Sequence, residues 1–347
     1  MLRIQHHIAT VFAGSLLFLA GAAQATEPNA GKGDTPSAIM GDKTLSADAK
    51  QLGPEDVDPQ ELARDIGLDI GTATERSGVM GKSRDGEETR KAPAAPAASK
   101  DGEAAAETMS APDAPEADRA VFGKDTRERV KNTQNYPFRT IGIIQMSDSA
   151  GNNFMCTGTL ISPKTVVTTA HCLYNVQEGV WYDNYLFAPG ADGYDNLPFG
   201  AFEWAHVYIM EGYASQWNGD YRSVMPYDLG VIILDRDIGT DLGWFGFEYD
   251  PQARPYIVNH IGFPLDKKPA GTMWQSACEI AANQIYDYAI THHCPSSQGS
   301  NGGPLYVYDS NNDSRFIRGL ELFPNEQANI GTRFTELHYN WLVQNLQ

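Results

Sequence analysis

Short apolar runs separated by clusters of Gly, Pro, Asn and Asp fill the chain from residue 120 onward. Runs of this length predict β-strands, and many of them in succession are typical of an all-β sandwich or barrel. The predicted strands are Thr140–Gln145, Thr157–Ile161, Thr165–Thr169, Leu229–Leu234, Tyr256–Ile261, Pro304–Val307 and Phe316–Leu322. Near the C-terminus, Thr335–Leu346 has apolar positions at helical spacing. We therefore expect one all-β domain over 120–347, closed by a helix.

Residues 26–119 have a different character. They contain 20 acidic and 11 basic side chains and no Phe, Trp or Tyr. Such a segment cannot bury enough apolar area to offset its chain entropy, so we interpret it as a propeptide or disordered spacer. A small folded prodomain is the alternative, and Pro59–Ile66 predicts one short helix. The segment ends at Arg119, where a cut would release the domain of a zymogen.

The first 25 residues have the features of a secretory signal peptide. Arg3 precedes the mostly apolar stretch Ile8–Ala20, and Ala23-Gln24-Ala25 has small residues at the spacing that signal peptidase requires. An uncleaved anchor is the alternative, although the apolar run is short for a membrane span. The sequence therefore predicts an exported protein, either secreted or periplasmic.

Charge and hydropathy exclude two classes of function. The chain of 347 residues carries a formal net charge of −18. Residues 120–347 have 24 acidic and 14 basic side chains, a net charge of −10. This balance argues against nucleic-acid binding through a basic surface. No run of 18 apolar residues follows the N-terminal segment, so we expect no membrane span in the mature protein.

The four cysteines fit an oxidising compartment. Cys156 and Cys172 are 16 residues apart, and so are Cys278 and Cys294. Four cysteines allow three pairings, of which we favour the two local loops Cys156–Cys172 and Cys278–Cys294. A zinc site is the alternative, but the chain has no CxxC pair. We expect no metal and no cofactor.

Three local sequences carry candidate chemistry. His171 follows a β-branched run and precedes Cys172, so a disulfide would hold it rigidly, as a general base requires. Asp228 lies before a wholly apolar strand, where a buried carboxylate could orient an imidazole. The glycine-rich turn 298–305 enters another strand and could direct two backbone N–H groups at one point, as in an oxyanion hole.

The order His, Asp, glycine-rich turn is that of the chymotrypsin-like (trypsin-like) serine peptidases. The domain resembles that family, specifically the glutamyl endopeptidase branch of secreted bacterial enzymes. This resemblance implies a fold of two packed six-stranded antiparallel β-barrels with the site in the cleft between them. The matching segments are Val121–Arg127, Tyr136-Pro137, Cys156–Ile161, Thr169–Cys172, Gly243–Phe247, Gly262–Pro264, Asp266-Lys267, Gly271–Trp274 and Asn329–Arg333.

The resemblance also implies roles for individual residues. His171 matches the general base of the family, and Asp228 matches the carboxylate that orients it. The backbone N–H groups of Gly299 and residue 301 match the oxyanion hole. Ser296 matches the residue that lines the primary specificity pocket. The expected partner is a peptide or protein, and we expect a monomer.

The nucleophile position departs from the family. The family has a serine immediately before the pair that is Gly302-Gly303 here, and this chain has Asn301. A carboxamide cannot be activated by an adjacent base, because activation requires a hydroxyl or a thiol. Ser300 could replace the nucleophile only if the turn slipped by one residue. The sequence thus predicts either an impaired serine endopeptidase or an inactive pseudoprotease that binds peptides or proteins.

The specificity pocket departs as well. The glutamyl branch has a histidine in a Gly-x-His strand, whereas this chain has Glu321 after Gly319-Leu320. A carboxylate there would repel an acidic side chain and favour a basic one. Because Ser300 is not an aspartate, zymogen activation through an ion pair with a new N-terminus is not expected. His292-His293 beside Cys294 looks like a metal cluster, but we interpret it as a surface pair beside a disulfide.

Overall fold

The computed structural model describes residues 41–47, 50–51, 78–91, 121, 124–323 and 328–347. The predicted signal peptide, the predicted helix over 59–66 and the cut after Arg119 lie outside the described residues. No helix in the described part of the chain is long and apolar enough to cross a membrane.

The described residues are mainly β-structure, and the strands are numbered in chain order. They are β1 (Lys50–Gln51), β2 (Val79–Ser83), β3 (Glu88–Lys91), β4 (Glu128–Arg129), β5 (Ile141–Ser147), β6 (Asn153–Leu160), β7 (Thr165–Thr168), β8 (Tyr174–Asn175), β9 (Val180–Trp181), β10 (Asp183–Pro189), β11 (Phe202–Met210), β12 (Gly230–Leu234), β13 (Gly246–Phe247), β14 (Tyr256–Gly262), β15 (Trp274–Ile280), β16 (Ala289–His292), β17 (Pro304–Asp309), β18 (Ser314–Phe323) and β19 (Asn329–Arg333).

Helices are short. They are α1 (Glu211–Ser215), α2 (Gly239–Leu242) and α3 (Glu336–Gln344), with 3-10 turns at Phe138–Thr140, Ala170–Cys172, Tyr221–Ser223, Met225–Tyr227 and Ala282–Gln284. The predicted C-terminal helix is confirmed as α3. Its first turn is capped by the side chain of His338, whose Nδ1 accepts a hydrogen bond from the backbone N of Thr335 at 3.2 Å.

The first sheet closes into a six-stranded barrel. Its order is β10-β5-β6-β7-β12-β11, and β11 pairs back with β10 through Leu186↔Glu203 and Phe187↔Phe202. All five residues of β12 are buried, as expected for an apolar run that packs on both faces. The pairing Gly230↔Thr168 between β12 and β7 brings the residues just beyond these two strands together.

The second sheet holds six antiparallel strands in the order β16-β19-β18-β17-β14-β15. The short strand β4 continues this sheet beyond β15, and β13 pairs with β18 in parallel. In the described residues β15 and β16 do not pair, so this second barrel is open on one side. The prediction of an all-β fold with two six-stranded units is therefore confirmed, with one closed and one half-open barrel.

Both predicted disulfides are present, Cys156–Cys172 and Cys278–Cys294. The first bond joins β6 to the 3-10 turn that follows β7. The second joins β15 to the segment that follows β16. Loops of this size contribute about 3 kcal/mol each on the loop-entropy model. The described residues contain no free cysteine.

Part of the predicted prosegment is ordered. Strands β2 and β3 form a hairpin that pairs with β11, and β1 pairs in parallel with β6. Composition gave no indication of this hairpin, because β3 is fully exposed and β2 contains just one strongly apolar buried side chain, Met80. The hairpin is stabilised by a sheet edge elsewhere in the chain, which local sequence does not encode.

Candidate active site

His171 lies in the 3-10 turn Ala170–Cys172, directly after β7. The preceding run Thr165–Thr168 is entirely buried in the first barrel. Cys172 is tied by its disulfide to Cys156 in β6, so the turn is held at both ends. The side chain of His171 is 6 % exposed. His171 is therefore held rigidly, as the sequence predicted for a general base.

Asp228 is fully buried between the 3-10 turn Met225–Tyr227 and β12. Its Oδ1 accepts a hydrogen bond from the backbone N of His171 at 2.9 Å, and its Oδ2 lies 2.7 Å from Nδ1 of the His171 ring. A carboxylate accepts, so Nδ1 carries the proton and Nε2 presents a lone pair. The predicted pair of imidazole and orienting carboxylate is thus assembled.

Tyr221 is a third member of this group that the sequence analysis missed. Its hydroxyl donates to Oδ2 of Asp228, and its side chain is buried. Burial, followed by the negative charge of Asp228, raises the pKa of Tyr221 well above its usual value, so the hydroxyl remains a donor. No local motif marks Tyr221, which precedes Asp228 by seven residues.

We expect Tyr221→Phe to lower the free energy of unfolding by about 1.5–3 kcal/mol, because a buried hydrogen bond to a charged acceptor is lost. Urea denaturation of the purified protein measures this change. Tyr308→Phe is the matched control, because Tyr308 is exposed and its hydroxyl bonds to Asp313 instead. An unchanged unfolding free energy in Tyr221→Phe would contradict the contribution of this hydrogen bond.

The glycine-rich turn has a backbone that requires glycine at two places. Gly299 has φ +95° and Gly302 has φ +79°. A Cβ at Gly299 would lie 2.3 Å from the carbonyl O of Phe263, and a Cβ at Gly302 would lie 2.4 Å from that of Thr157. Both neighbours are backbone atoms that cannot move aside. The tight turn therefore depends on these two glycines.

Asn301 faces the histidine. Its Nδ2 lies 3.3 Å from Nε2 of His171, and its side chain is fully buried. Its backbone O accepts a hydrogen bond from the N of Thr157 at 2.7 Å. The residue that the sequence assigns to the nucleophile position thus occupies the place beside the imidazole. A carboxamide N–H donating to Nε2 satisfies the lone pair that a serine hydroxyl would otherwise use.

Ser300 points elsewhere in this turn. A Cβ built on Gly262, at the end of β14, would come within 2.7 Å of the Ser300 Oγ, so this side chain packs directly over Gly262. Ser300 is 2 % exposed and lines a small cavity with His260 and Ser296. Two adjacent residues of the turn therefore face opposite ways, as expected for extended neighbours.

Glu321 is fully buried and bonded to a histidine. Its Oε2 lies 2.8 Å from Nε2 of His292, which is also fully buried. The interpretation of His292-His293 as a surface pair was therefore wrong for His292, because that side chain turns inward from β16 toward β18. Nearby, Ser296 Oγ lies 3.4 Å from Nε2 of His260. The four side chains form a buried polar cluster next to the glycine-rich turn.

Electrostatics within this cluster favour a charged carboxylate. Burial raises the pKa of Glu321, but His292, with lesser contributions from His260 and Ser296, outweighs it, and the net pKa lies below the usual value. Burial lowers the pKa of His260, which keeps that ring neutral near pH 7. In the described residues Oε1 of Glu321 has no hydrogen-bond partner. The cluster thus contains an ionised carboxylate with one oxygen unused.

Two groups of His and Cys lie close enough to suggest metal ligation. They are Cys156 with His171 and Cys172, and Cys278 with His292 and Cys294. In both groups the two cysteines form a disulfide, so no thiolate is available as a ligand. One histidine that remains in each group does not constitute a metal site.

Comparison with known proteins decides the family. The Trypsin family model matches residues 129–258. The glutamyl endopeptidase of Bacillus licheniformis is 32 % identical over 238 residues, which cover 67 % of this chain and 70 % of that protein. The chain belongs to the trypsin-like serine peptidase family. Within this family it falls in the glutamyl endopeptidase branch.

Two further proteins are similar to this chain. A Bacillus subtilis protein named extracellular metalloprotease is 29 % identical over 224 residues, covering 64 % of this chain and 68 % of that protein. A solved structure of a Glu endopeptidase in complex with MPD superposes with a TM-score of 0.55 at 22 % identity, covering 65 % of this chain and 98 % of that chain. The latter shows the fold, and the predicted chymotrypsin-like architecture is confirmed.

Proposed function

We propose that this protein is an exported member of the trypsin-like family that binds peptides in its cleft and has lost efficient hydrolysis. One observation carries the proposal: Nδ2 of Asn301 lies 3.3 Å from Nε2 of His171, where a nucleophilic oxygen would have to be. The rest of the apparatus is intact, because Asp228 holds the ring of His171 at 2.7 Å. The site is therefore built for catalysis but lacks its nucleophile.

The chemistry of the amide supports impairment. The nitrogen lone pair of a carboxamide is delocalised into its carbonyl, so His171 cannot turn Asn301 into a nucleophile. Without a nucleophile, the backbone donors at Gly299 and residue 301 could still bind a peptide carbonyl as an oxyanion hole does. Catalysis by such donors alone is weak compared with that of a full triad.

A working peptidase that uses Ser300 is the second candidate. It requires the turn to shift by one residue, and backbone hydrogen bonds oppose that shift. Gly302 N donates to the O of Glu321 at 2.8 Å, and Glu321 N donates to the O of Gly303 at 2.9 Å. These two bonds tie the turn to β18 in its present register. Breaking them without new partners costs about 1–3 kcal/mol for each buried group.

The pocket supports a preference for basic or hydrogen-donating side chains. Ser296 and Glu321 match the positions of the specificity pocket in the family. The pKa of Glu321 lies below its usual value, which favours the ionised form at pH 7, and its Oε1 has no hydrogen-bond partner in the described residues. A guanidinium or ammonium would supply that partner, whereas a glutamate side chain would be repelled. The B. licheniformis relative is named a glutamyl endopeptidase, and we do not extend a preference for glutamate to this chain.

Export is part of the proposal. The signal-like sequence over residues 1–25 and the two disulfides both fit an oxidising compartment. The B. subtilis relative bears the name extracellular. We therefore propose a secreted or periplasmic protein, which acts as a monomer without cofactor.

The test combines turnover and binding. The purified chain is incubated with fluorescent peptides that differ in one position, occupied by Lys, Ala or Glu, and cleavage and anisotropy are recorded. We expect no cleavage above the level of His171→Ala, and we expect the Lys peptide to bind about tenfold more tightly than the Glu peptide. Turnover that His171→Ala abolishes would contradict the proposal. Loss of that turnover in Ser300→Ala would identify Ser300 as the nucleophile.

A further inference from the structure

We infer that residues 78–91 remain bound to the first barrel as two of its strands after the chain is cut between Lys91 and Val121. On this view the processed protein consists of two chains held together without a covalent bond. The prosegment hairpin, defined as β2, β3 and the turn between them, is then a structural part of the mature protein. The inference does not depend on whether the cleft hydrolyses peptides.

The hairpin covers a part of the β11 edge that closure of the barrel leaves free. Strand β11 pairs with β10 only through Phe202 and Glu203, and its remaining length diverges from β10. Along that length β2 pairs with β11 over five positions, from His206↔Ser83 to Met210↔Val79. Without β2, the backbone groups on this edge of β11 would have no partner strand. An unpaired edge of this kind is a site for strand addition.

Side chains reinforce the pairing. Met80 is 2 % exposed and belongs to the core of the barrel. Burial of this Met side chain removes apolar surface from water and so favours retention of the hairpin. Gly81 lies so close to Tyr208 on β11 that a Cβ at position 81 would come within 2.3 Å of the tyrosine ring. Strand β2 therefore packs closely against β11.

The start of the hairpin joins two helices. The carbonyl O of Gly78 accepts hydrogen bonds from the backbone N of Glu211 at 2.9 Å and from Nε1 of Trp341 at 3.3 Å. Glu211 begins α1, and Trp341 lies in the C-terminal helix α3. The polypeptide leads from α1 through the 3-10 turn of Tyr221 to Asp228. The hairpin thus stabilises the elements that precede the orienting carboxylate.

Two ion pairs between the hairpin and the barrel contribute more to the register of the strands than to the strength of binding. Lys82 Nζ lies 3.0 Å from Asp183, and Arg84 lies 2.8 Å from Glu203. Both pairs are partly exposed, and exposed pairs contribute little to binding. They match basic side chains of the hairpin to acidic side chains of the barrel. The main contributions to binding are therefore the five-position strand pairing and the burial of Met80.

A second segment of the same region is also attached. Lys43 and Ala201 exchange two backbone hydrogen bonds, at 3.2 and 3.3 Å. Gln145 in β5 bonds both the N and the O of Ser46, at 2.7 and 2.8 Å. The segment preceding the cut therefore contacts the barrel at two separate places. Two linked attachments bind more strongly than either alone.

Disulfides do not contribute to this retention. All four cysteines lie between positions 156 and 294, and they pair with one another. A fragment that ends before Val121 therefore has no covalent link to the domain once the chain is cut. Co-purification after a cut can be attributed to non-covalent contacts alone.

The test cuts the full chain at a chosen point. A recognition sequence for a site-specific protease is inserted between Lys100 and Asp101, and the cut protein is analysed by size-exclusion chromatography and intact mass spectrometry. We expect the N-terminal fragment and the domain to co-elute in equal amounts in native buffer and to separate in denaturant. Separate elution in native buffer would overturn the inference.

Two variants of the same protein test the contact itself. Gly81→Val introduces a side chain into the Tyr208 ring, and we expect the cut fragment to dissociate at least about 100-fold more readily. Thr89→Val is the matched control, because Thr89 is its partner in β3 and is exposed. If Gly81→Val is not recovered folded, Met80→Ala replaces it, with an expected effect of about tenfold or more. Equal retention in all variants would overturn the assigned contact.

Discussion

Asn301→Ser is expected to make this protein react with fluorophosphonate probes and cleave peptides. The reason is geometric. The side chain at position 301 already faces the base, because Nδ2 of Asn301 lies 3.3 Å from Nε2 of His171. The partner Asp228 already orients His171 through two hydrogen bonds, at 2.9 and 2.7 Å. Removing the serine of an intact triad lowers kcat about 10⁶-fold. We expect the reverse change to raise peptidase activity at least about 10³-fold.

The controls separate repair of the site from accidental reactivity. Asn301→Ala lacks a nucleophile and should not label, and Asn301→Ser combined with His171→Ala should lose most of the gain. Activity that persists in the latter double variant would mean that the hydroxyl acts without the predicted base. Lack of labelling in a folded Asn301→Ser protein would contradict the interpretation that the cleft is otherwise intact.

Local sequence sufficed for the residues whose positions depend on neighbours along the chain. His171 is adjacent to a disulfide cysteine, and Asp228 immediately precedes an apolar strand. The two disulfides link cysteines with equal, short spacings. Tyr221 and His292 could not be found in this way. Each acquires its role from a partner that the fold brings to it: Tyr221 lies in no distinctive motif, and the pair His292-His293 beside Cys294 did not indicate Glu321 as a partner.

The strands likewise divide into those that local sequence predicts and those that depend on distant partners. The apolar runs predicted β7, β12 and β14 to within one residue at each end. Strands with mixed polar and apolar residues were missed, among them β11 (Phe202–Met210) and β15 (Trp274–Ile280). Their polar positions face outward or pair with other strands, which weakens the apolar signal. Composition also concealed the hairpin over 79–91, because β11 supplies the edge that orders it.

The largest expected effect on stability comes from His292→Leu. The change leaves the carboxylate of Glu321 buried without its partner, since both side chains are fully buried and joined at 2.8 Å. Breaking a buried pair by removing one member typically costs about 3–5 kcal/mol. Urea denaturation at pH 7 measures the loss. The double variant His292→Leu with Glu321→Leu should recover most of it, because no buried charge remains.

The pH dependence distinguishes a charge effect from simple loss of packing. In the native protein the pKa of Glu321 is lowered from its usual value of 4.5. The ionised carboxylate therefore contributes to the free energy of unfolding above pH 4.5, and this contribution is lost as the pH falls through the pKa of the folded state. Without His292 the dominant influence is burial, which raises the pKa of Glu321 and favours the neutral acid, although His260 and Ser296 still face the carboxyl. The difference in unfolding free energy between the native protein and His292→Leu should therefore shrink from pH 7 towards pH 4.5. A difference that is constant over this range would mean that His292 contributes by packing and that Glu321 is not held ionised by it.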